Sequence, residues 1–176
     1  MKAYTLIEMI VSVLLLAMVL LAGTSLFYQN LKAAGLSDVD ANLGNALQTM
    51  LRSIEKDIRY STVTAVGSGT RTECLAAGTA GYGGSSLTVN DVEGKQTVYS
   101  LANNKVASTA AETGVVVYLN VGQIKVTALE FTWFCQGNIS DKIKIAIDGS
   151  NTVLNTGIEV KQSVSADINL LNSGLN

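Results

Sequence analysis

Residues 9–31 read MIVSVLLLAMVLLAGTSLFYQNL and contain no charged side chain. At a rise of about 1.5 Å per residue, a helix over this stretch is roughly 35 Å long, close to the thickness of the hydrocarbon core of a bilayer. The run is too long for the apolar region of a cleaved signal peptide, and no small-residue cleavage site follows it. We therefore predict a retained membrane-spanning helix, with Lys2 marking its cytoplasmic end.

The helical pattern continues beyond this run but becomes one-sided. Apolar residues recur there at steps of three and four: Leu36, Val39, Leu43, Leu47, Met50, Ile54 and Ile58. This spacing is typical of a helix with one apolar face. We predict one continuous helix from about Tyr4 to Tyr60, a length found in coiled coils, membrane helices and filament stalks. Its charged residues are predicted to form a solvated face with local ion pairs: Arg52, Glu55, Lys56, Asp57 and Arg59.

After Tyr60 the period becomes that of strands. Runs of β-branched and aromatic residues predict strands over residues 61–66, 86–90, 95–101, 115–119, 123–135, 141–147 and 158–170. Residues 91–94 predict a hairpin turn closed by Gly94, and the Gly- and Ala-rich residues 77–85 predict a loop. Phe131, Trp133 and Phe134 are expected in the core.

The predicted fold class is α+β, with the long N-terminal helix packed on an antiparallel β-sheet head, because the apolar face of the helix and the face of a sheet bury each other. A chain of 176 residues has room for one such head and one stalk. We divide it into a membrane-spanning half of the helix at residues 4–31, an amphipathic half at residues 32–60 and a β-rich head at residues 61–176.

The composition argues against most kinds of active site. The chain has no histidine, which excludes the common acyl-transfer triads and makes a zinc site improbable, and its formal net charge is −2. That charge provides no cationic field to hold nucleic acid, so nucleic acid is not indicated as a partner. We predict that the protein is not an enzyme and binds no cofactor or metal.

The two cysteines, Cys74 and Cys135, lie in the polar remainder of the chain. With Lys2 at the cytoplasmic end of the span, that remainder is extracytoplasmic, where an oxidising compartment favours disulfides. We predict a Cys74–Cys135 bond; the alternative is two separate buried thiols.

Glu8 stands out because it adjoins the apolar run. A carboxylate beside such a run is costly in lipid and is seldom kept without a partner or a function. The alternative from position alone is a Glu8 side chain solvated among the lipid headgroups.

Residues 4–11, YTLIEMIV, with the apolar stretch that follows, closely resemble the N-terminal motif of type IV pilins and type II secretion pseudopilins. The resemblance implies that residues 1–3 are a leader, which the prepilin peptidase removes after Ala3, and that Tyr4 is the new, N-methylated terminus. It also implies that Glu8 pairs with the terminal ammonium of a neighbouring subunit. A three-residue leader, Ala3 in place of the commoner glycine and Tyr4 in place of the commoner phenylalanine depart from the usual pattern.

The family implies a structural role. Subunits of this kind sit in the bacterial cytoplasmic (inner) membrane as single-pass proteins with an extracytoplasmic head, then enter a periplasmic or cell-surface filament. The implied partners are membrane lipid before assembly, the inner-membrane assembly platform and other pilin or pseudopilin subunits.

The rest of the chain resembles J-type minor pseudopilins and related minor pilins, through residues 51–59, the hairpin around Gly94 and residues 126–133, 142–147 and 162–172. A major pilin is the chief alternative within the family. Outside it, the alternative is a single-span anchored extracytoplasmic binding domain that never polymerises.

Overall fold

The structure is a computed structural model that describes residues 5–120, 122–136, 139–153 and 157–171. Its first element is a 53-residue helix, α1, over Leu6–Ile58. Contacts divide the chain into two compact units, Met1–Asp38 and Val39–Asn176. The described part of the first unit is helical from Leu6 onward, and the second unit contains the rest of α1 and all the strands.

In the second unit, α1 buries one face of its surface. The buried residues are Leu43, Leu47, Met50, Leu51, Ile54 and Ile58. Five of them belong to the predicted apolar stripe, whose first two members, Leu36 and Val39, are half-buried. The prediction of a long helix with one apolar face in its second half is confirmed.

Nine strands and a short helix follow among the described residues. The strands are β1 Thr62–Val66, β2 Tyr82–Gly84, β3 Ser86–Asn90, β4 Gln96–Ala102, β5 Lys105–Ala110, β6 Val116–Tyr118, β7 Lys125–Gln136, β8 Ile139–Thr152 and β9 Glu159–Asn169. The short helix, α2, covers Arg71–Ala77 and leads into a 3-10 turn at Gly78–Ala80. The predicted hairpin is confirmed as β3 and β4, with Gly94 at φ +84° in the turn.

The strands form two sheets, and every pairing in them is antiparallel. The first sheet has the order β1-β3-β4-β5-β6, and the second has the order β2-β7-β8-β9. The sheets meet where the Val126 N–H donates to the Asn104 carbonyl at 2.9 Å. The α+β class is confirmed, but the sequence analysis predicted one sheet where the structure has two.

One hydrophobic core joins α1 to both sheets. Its largest fully buried side chains include Trp133 and Phe131 of β7 and Tyr99 of β4. The Tyr99 hydroxyl donates to Asp57 Oδ2 of α1 at 2.9 Å. Burial of the phenol, and then the nearby Asp57 charge, raise the pKa of Tyr99. This bond fastens the end of α1 to the first sheet.

Four details differ from the sequence-based predictions. Residues 77–85, predicted as a loop, contain the end of α2, the 3-10 turn and β2, which adds three residues to the edge of β7. Strand β5 was not predicted, because its run of small residues, KVASTA, lacks a strong strand pattern. Asp57 lies on the exposed face of the helix as predicted, but it also accepts the Tyr99 hydroxyl, a bond that was not predicted.

Phe134 is the fourth difference. Phe131 and Trp133 are buried as predicted, but Phe134 is half-buried, and the Lys142 ammonium lies 4.9 Å from its ring centroid. Alternation along β7 explains this, since residues 131, 133 and 135 face the core and residue 134 points to the opposite side.

Gly149 of β8 sets how closely α1 approaches the second sheet. A Cβ placed on Gly149 would lie 2.7 Å from Leu47 Cδ2 and 3.4 Å from Leu43 Cδ1. Real Cβ atoms do not approach other carbons as closely as 2.7 Å, so glycine is needed here for space and not for an unusual backbone angle.

We expect a fragment of residues 32–176 to fold without the apolar half of α1. Every buried hydrophobic residue of the described chain lies at Leu43 or beyond, so the fragment keeps the whole described core. It should be soluble and monomeric by size-exclusion chromatography with light scattering, with a mixed α and β circular dichroism spectrum. Aggregation, an unfolded spectrum or unaided filament growth would each contradict this.

We expect Gly149→Ala to lower the free energy of unfolding of this fragment by about 1–3 kcal/mol, because the added methyl group overpacks the contact with Leu47. Urea denaturation measures the change. Gly83→Ala in β2 is the matched control, since the nearest atom to its added Cβ is a carbonyl oxygen at 4.0 Å, so it should be close to neutral. Equal losses for the two variants would show that Gly149 does not control the packing of α1.

Candidate functional site

The first half of α1 presents apolar side chains that the described chain does not cover. From Leu6 to Leu31 the large apolar side chains are 49–79% exposed. By length and composition, this helix is able to cross a membrane. An apolar surface of this extent is far larger than the patches that soluble monomers expose, so lipid or protein must cover it.

Two hydroxyl side chains in this segment are satisfied by the helix itself. Ser12 Oγ donates to the Met9 carbonyl at 2.9 Å, and Thr24 Oγ1 donates to the Leu21 carbonyl at 3.0 Å. Such local bonds allow hydroxyl groups to lie in apolar surroundings without another partner.

Glu8 lies in the first turn of α1, and its side chain is exposed. The adjacent backbone begins the helix, because the Glu8 N–H donates to the Thr5 carbonyl at 3.0 Å. A carboxylate at this end of a helix is favoured by the helix dipole. Ala3 and Tyr4, the predicted processing residues, lie outside the described residues.

The head is held together by the predicted disulfide. Cys74 of α2 and Cys135 of β7 are bonded, with Cα atoms 5.7 Å apart, and both are buried. The bond is present as expected, and the alternative of two separate thiols is wrong. It links residues 61 positions apart, a closure that stabilises by about 4 kcal/mol in the chain-entropy model.

Thr70 and Glu73 start the helix that carries Cys74. The Thr70 N–H donates to Glu73 Oε2 at 2.9 Å, and the Thr70 hydroxyl bonds to the same carboxylate. These bonds lower the pKa of Glu73, and the bond with the Thr70 hydroxyl has the largest effect. This arrangement is a capping box, a sequence signal for a helix start that marks α2 within a region of few apolar residues.

Beside the disulfide lies a buried carboxylate, Asp141 of β8, whose side chain is fully buried. The Arg71 guanidinium of α2 donates to both of its oxygens, with Nη2 at 3.2 Å from Oδ1. Trp133 Nε1 of β7 donates to Oδ2 at 3.1 Å. A buried charge is tolerated only when paired and hydrogen-bonded, and Asp141 meets both conditions.

Sequence reasoning did not find Arg71 or Asp141. The sequence does contain a signal for Asp141. Residues 141, 143, 145 and 147 alternate with exposed or half-buried positions, so Asp141 lies on the same face of the strand as three buried isoleucines. No comparable signal marked Arg71, which lies 70 residues from its partner. The pairing depends on α2 crossing the end of β7, which only the fold reveals.

In the part of the chain that the structure describes, no group of three or more His, Cys, Asp or Glu side chains is placed to hold a metal ion. The buried polar cluster around Asp141 is fully engaged in holding α2 to the second sheet. What the described residues offer instead are surfaces: the apolar half of α1 with Glu8 at its start, and the faces and edges of the head.

The protein-family models, the curated proteins and the solved structures compared with this chain gave no match. The geometry defines the class of protein as a single long apolar helix joined to a disulfide-stabilised head of two antiparallel sheets. The family suggested by residues 4–11 stays a prediction, supported by the chain's own residues.

We expect Arg71→Met to lower the free energy of unfolding of the 32–176 fragment by about 3–5 kcal/mol, because it leaves the Asp141 carboxylate buried without a counter-charge. The Arg71→Met/Asp141→Asn double variant should be more stable than Arg71→Met alone, since it removes that charge. Urea denaturation of the double-mutant cycle measures both.

The control for this cycle is Lys142→Met, one residue from Asp141. Its ammonium pairs with Asp167 at 3.0 Å, but both side chains are more than a third exposed. Such surface pairs are worth about 0–1 kcal/mol, so the control should lose no more than that. If Arg71→Met loses as little, the pairing of Arg71 with the buried Asp141 carboxylate does not stabilise the head.

Proposed function

We propose that this protein is a structural subunit of a type IV pilus or a type II secretion pseudopilus and polymerises through its N-terminal helix. The observation that carries the proposal is the first half of α1, whose exposed apolar surface from Leu6 to Leu31 contains a single charged side chain, Glu8. The motif at residues 4–11 supports it, since it joins a processing site to such a helix. A long helix packed on an antiparallel head is consistent with a pilin-like fold.

The exposed apolar surface supplies the driving force for assembly. In the membrane, lipid covers it. In a filament outside the membrane, the same surface has to be buried against that of other subunits, and burial is worth roughly 25 cal/mol per Å². Several helices in a bundle each bury many hundreds of Å², which is enough to dominate the free energy of assembly.

Glu8 determines how neighbouring subunits align with one another in the filament. In an apolar bundle an isolated carboxylate is strongly unfavourable, so subunits must be placed where it meets a positive charge. Removal of the leader after Ala3 by the prepilin peptidase creates that charge, the terminal ammonium of Tyr4 on a neighbouring subunit. A helix that only anchors a domain has no use for this carboxylate, which favours polymerisation over the anchored binding domain.

Within the family, we assign the chain to the minor pilins or pseudopilins, on the resemblance of its head segments to the J-type proteins. A major pilin is the alternative. The Cys74–Cys135 disulfide fits a head on the outer side of the bacterial inner membrane, because disulfides persist in that compartment. The partners are then other subunits of the filament and the inner-membrane assembly platform.

We expect Glu8→Ala to lower incorporation into filaments more than about tenfold in cells that carry the assembly machinery, since the neighbour's ammonium loses its partner. The membrane-bound amount of the variant should match the wild type, because Glu8 lies outside the core of the head. Quantitative immunoblotting of sheared filament and membrane fractions measures both amounts.

Ser12→Ala is the matched control, because Ser12 lies one turn further along the same helix and its hydroxyl donates to the Met9 carbonyl of that helix. It should enter filaments normally. Normal incorporation of Glu8→Ala would contradict the proposed role of Glu8. A wild-type protein that stays in the membrane fraction and never appears in filaments would favour the anchored binding domain.

A further inference from the structure

The two sulfur atoms of the disulfide lie beside hydrogen-bond acceptors on the second sheet. Cys135 Sγ is 3.9 Å from Asp141 Oδ2, and Cys74 Sγ is 3.3 Å from the Trp133 carbonyl oxygen. A thiol is a weak donor, so each cysteine in its reduced form has an acceptor at the place that it occupies in the bond. The geometry that holds the disulfide therefore also suits the two thiols from which it forms.

The short helix α2 does not hold Cys74 at this place by itself. It has seven residues, and Cys74 is the one among them that is buried. Isolated helices shorter than about 12–15 residues are marginal in water, and the burial of one thiol removes little apolar area from water. Before the bond forms, the position of Cys74 therefore depends on other contacts between α2 and the sheet.

Arg71 makes such a contact. It precedes Cys74 by three positions, about one helical turn, so the two side chains leave α2 on the same side. Its guanidinium donates to both oxygens of Asp141, the carboxylate beside Cys135. The Arg71 side chain is 37% exposed and that of Asp141 is fully buried, so movement of α2 away from the sheet leaves the carboxylate buried without a counter-charge. That state is costly, which favours the return of α2.

Trp133 holds the same carboxylate from the other side. Its indole N–H donates to Asp141 Oδ2 at 3.1 Å, and it precedes Cys135 by two residues on the buried face of β7. The sheet thus presents one thiol and one carboxylate side by side, on β7 and β8. The helix α2 brings the second thiol and the matching guanidinium, so docking of the charge pair also brings the thiols together.

We propose that Arg71 and Asp141 position the two thiols for oxidation, by holding α2 against β7 before the disulfide forms. The oxidant is an external disulfide that reacts by thiol–disulfide exchange. The two protein thiols become the Cys74–Cys135 bond, and the external disulfide takes up their two electrons and two protons and leaves as two thiols. Arg71 and Asp141 are positioning residues, because neither bonds to the oxidant. This role belongs to the head and does not depend on polymerisation.

Positioning has a measurable consequence that general stabilisation lacks. A contact that holds α2 in place raises the effective concentration of one thiol at the other, and the closed disulfide strengthens that contact by the same factor. A contact elsewhere in the head stabilises the oxidised and the reduced protein alike. It therefore changes the free energy of unfolding but leaves the effective concentration of the thiols unchanged.

The test is the equilibrium of the full-length chain, in detergent micelles, with mixtures of reduced and oxidised glutathione. Thiol alkylation and mass spectrometry give the effective concentration of the thiol pair. We expect the Arg71→Met/Asp141→Asn double variant to lower it by about tenfold or more. Asp141→Asn alone keeps an acceptor for the Trp133 indole and for Arg71, so it should lower the effective concentration less. An unchanged value in the double variant would overturn the proposal.

Two variants serve as matched controls. Gly149→Ala disturbs the contact of α1 with β8 at the opposite end of β7 from Cys135. Lys142→Met removes a partly exposed charge next to Asp141 in the sequence. Because both changes lie outside the contact of α2 with the sheet, the effective concentration should stay within about twofold of the wild-type value. A fall in Gly149→Ala equal to that in the double variant would show a response to general stability, and would refute positioning.

A second measurement uses the wild-type chain alone. Trp133 is its single tryptophan, and the indole bonds to Asp141. The near-ultraviolet circular dichroism signal of Trp133 should persist when the disulfide is reduced, because the charge pair and the sheet keep the indole in place. Loss of this signal on reduction would show that the thiols are not held together before oxidation. That result would overturn the proposal even if the double variant failed to fold.

Discussion

The packing of one face of α1 on two sheets is the contact on which the head depends. The buried stripe from Leu43 to Ile58 fills the core, and Gly149 lets the helix lie close to β8. At its C-terminal end the helix is fixed to the first sheet by the bond from Tyr99 to Asp57. In the described chain only the short α2 joins α1 on this face, near the end of β7, so the order of the head follows mainly from α1.

A second cluster holds the irregular part of the chain. The segment between β1 and β3 contains the short α2 and β2, which alone would bury little apolar area. The Cys74–Cys135 bond and the pairing of Arg71 with Asp141 fasten this segment to β7 and β8. A covalent link and the bonding of Arg71 to a buried carboxylate together fix α2, which has few packing contacts of its own. The polar cluster therefore has a structural part, since it fastens α2 to the second sheet.

The surfaces left over are consistent with a subunit made to associate. The first half of α1 exposes apolar side chains from Leu6 to Leu31, and the head exposes a short apolar strand at one edge and a long polar strand at another. These differ greatly in extent, so they would contribute unequally to assembly. In the proposed filament, the large helix surface supplies most of the free energy of assembly.

The elements that could be predicted from the sequence are those with local signals. Residues 9–31 lack charge over the thickness of a bilayer, the stripe from Leu36 to Ile58 has helical spacing, and Gly94 closes a two-strand hairpin. These features follow from side-chain periodicity and turn chemistry, which depend only on neighbours along the chain. The α+β class and the existence of the disulfide followed from them and from the position of the cysteines.

The features that join distant segments could not be predicted, because they depend on the three-dimensional fold. Three such features are the division of the strands into two sheets, the pairing of β2 with β7 and the contact of Arg71 with Asp141. Each joins residues from remote parts of the chain, and the sequence around one partner gives no signal that identifies the other. Phe134 shows the same limit on a smaller scale, because the aromatic run predicts a core but not which face of β7 meets it. Which side of a strand is buried depends on the layer that covers it, and that layer is α1.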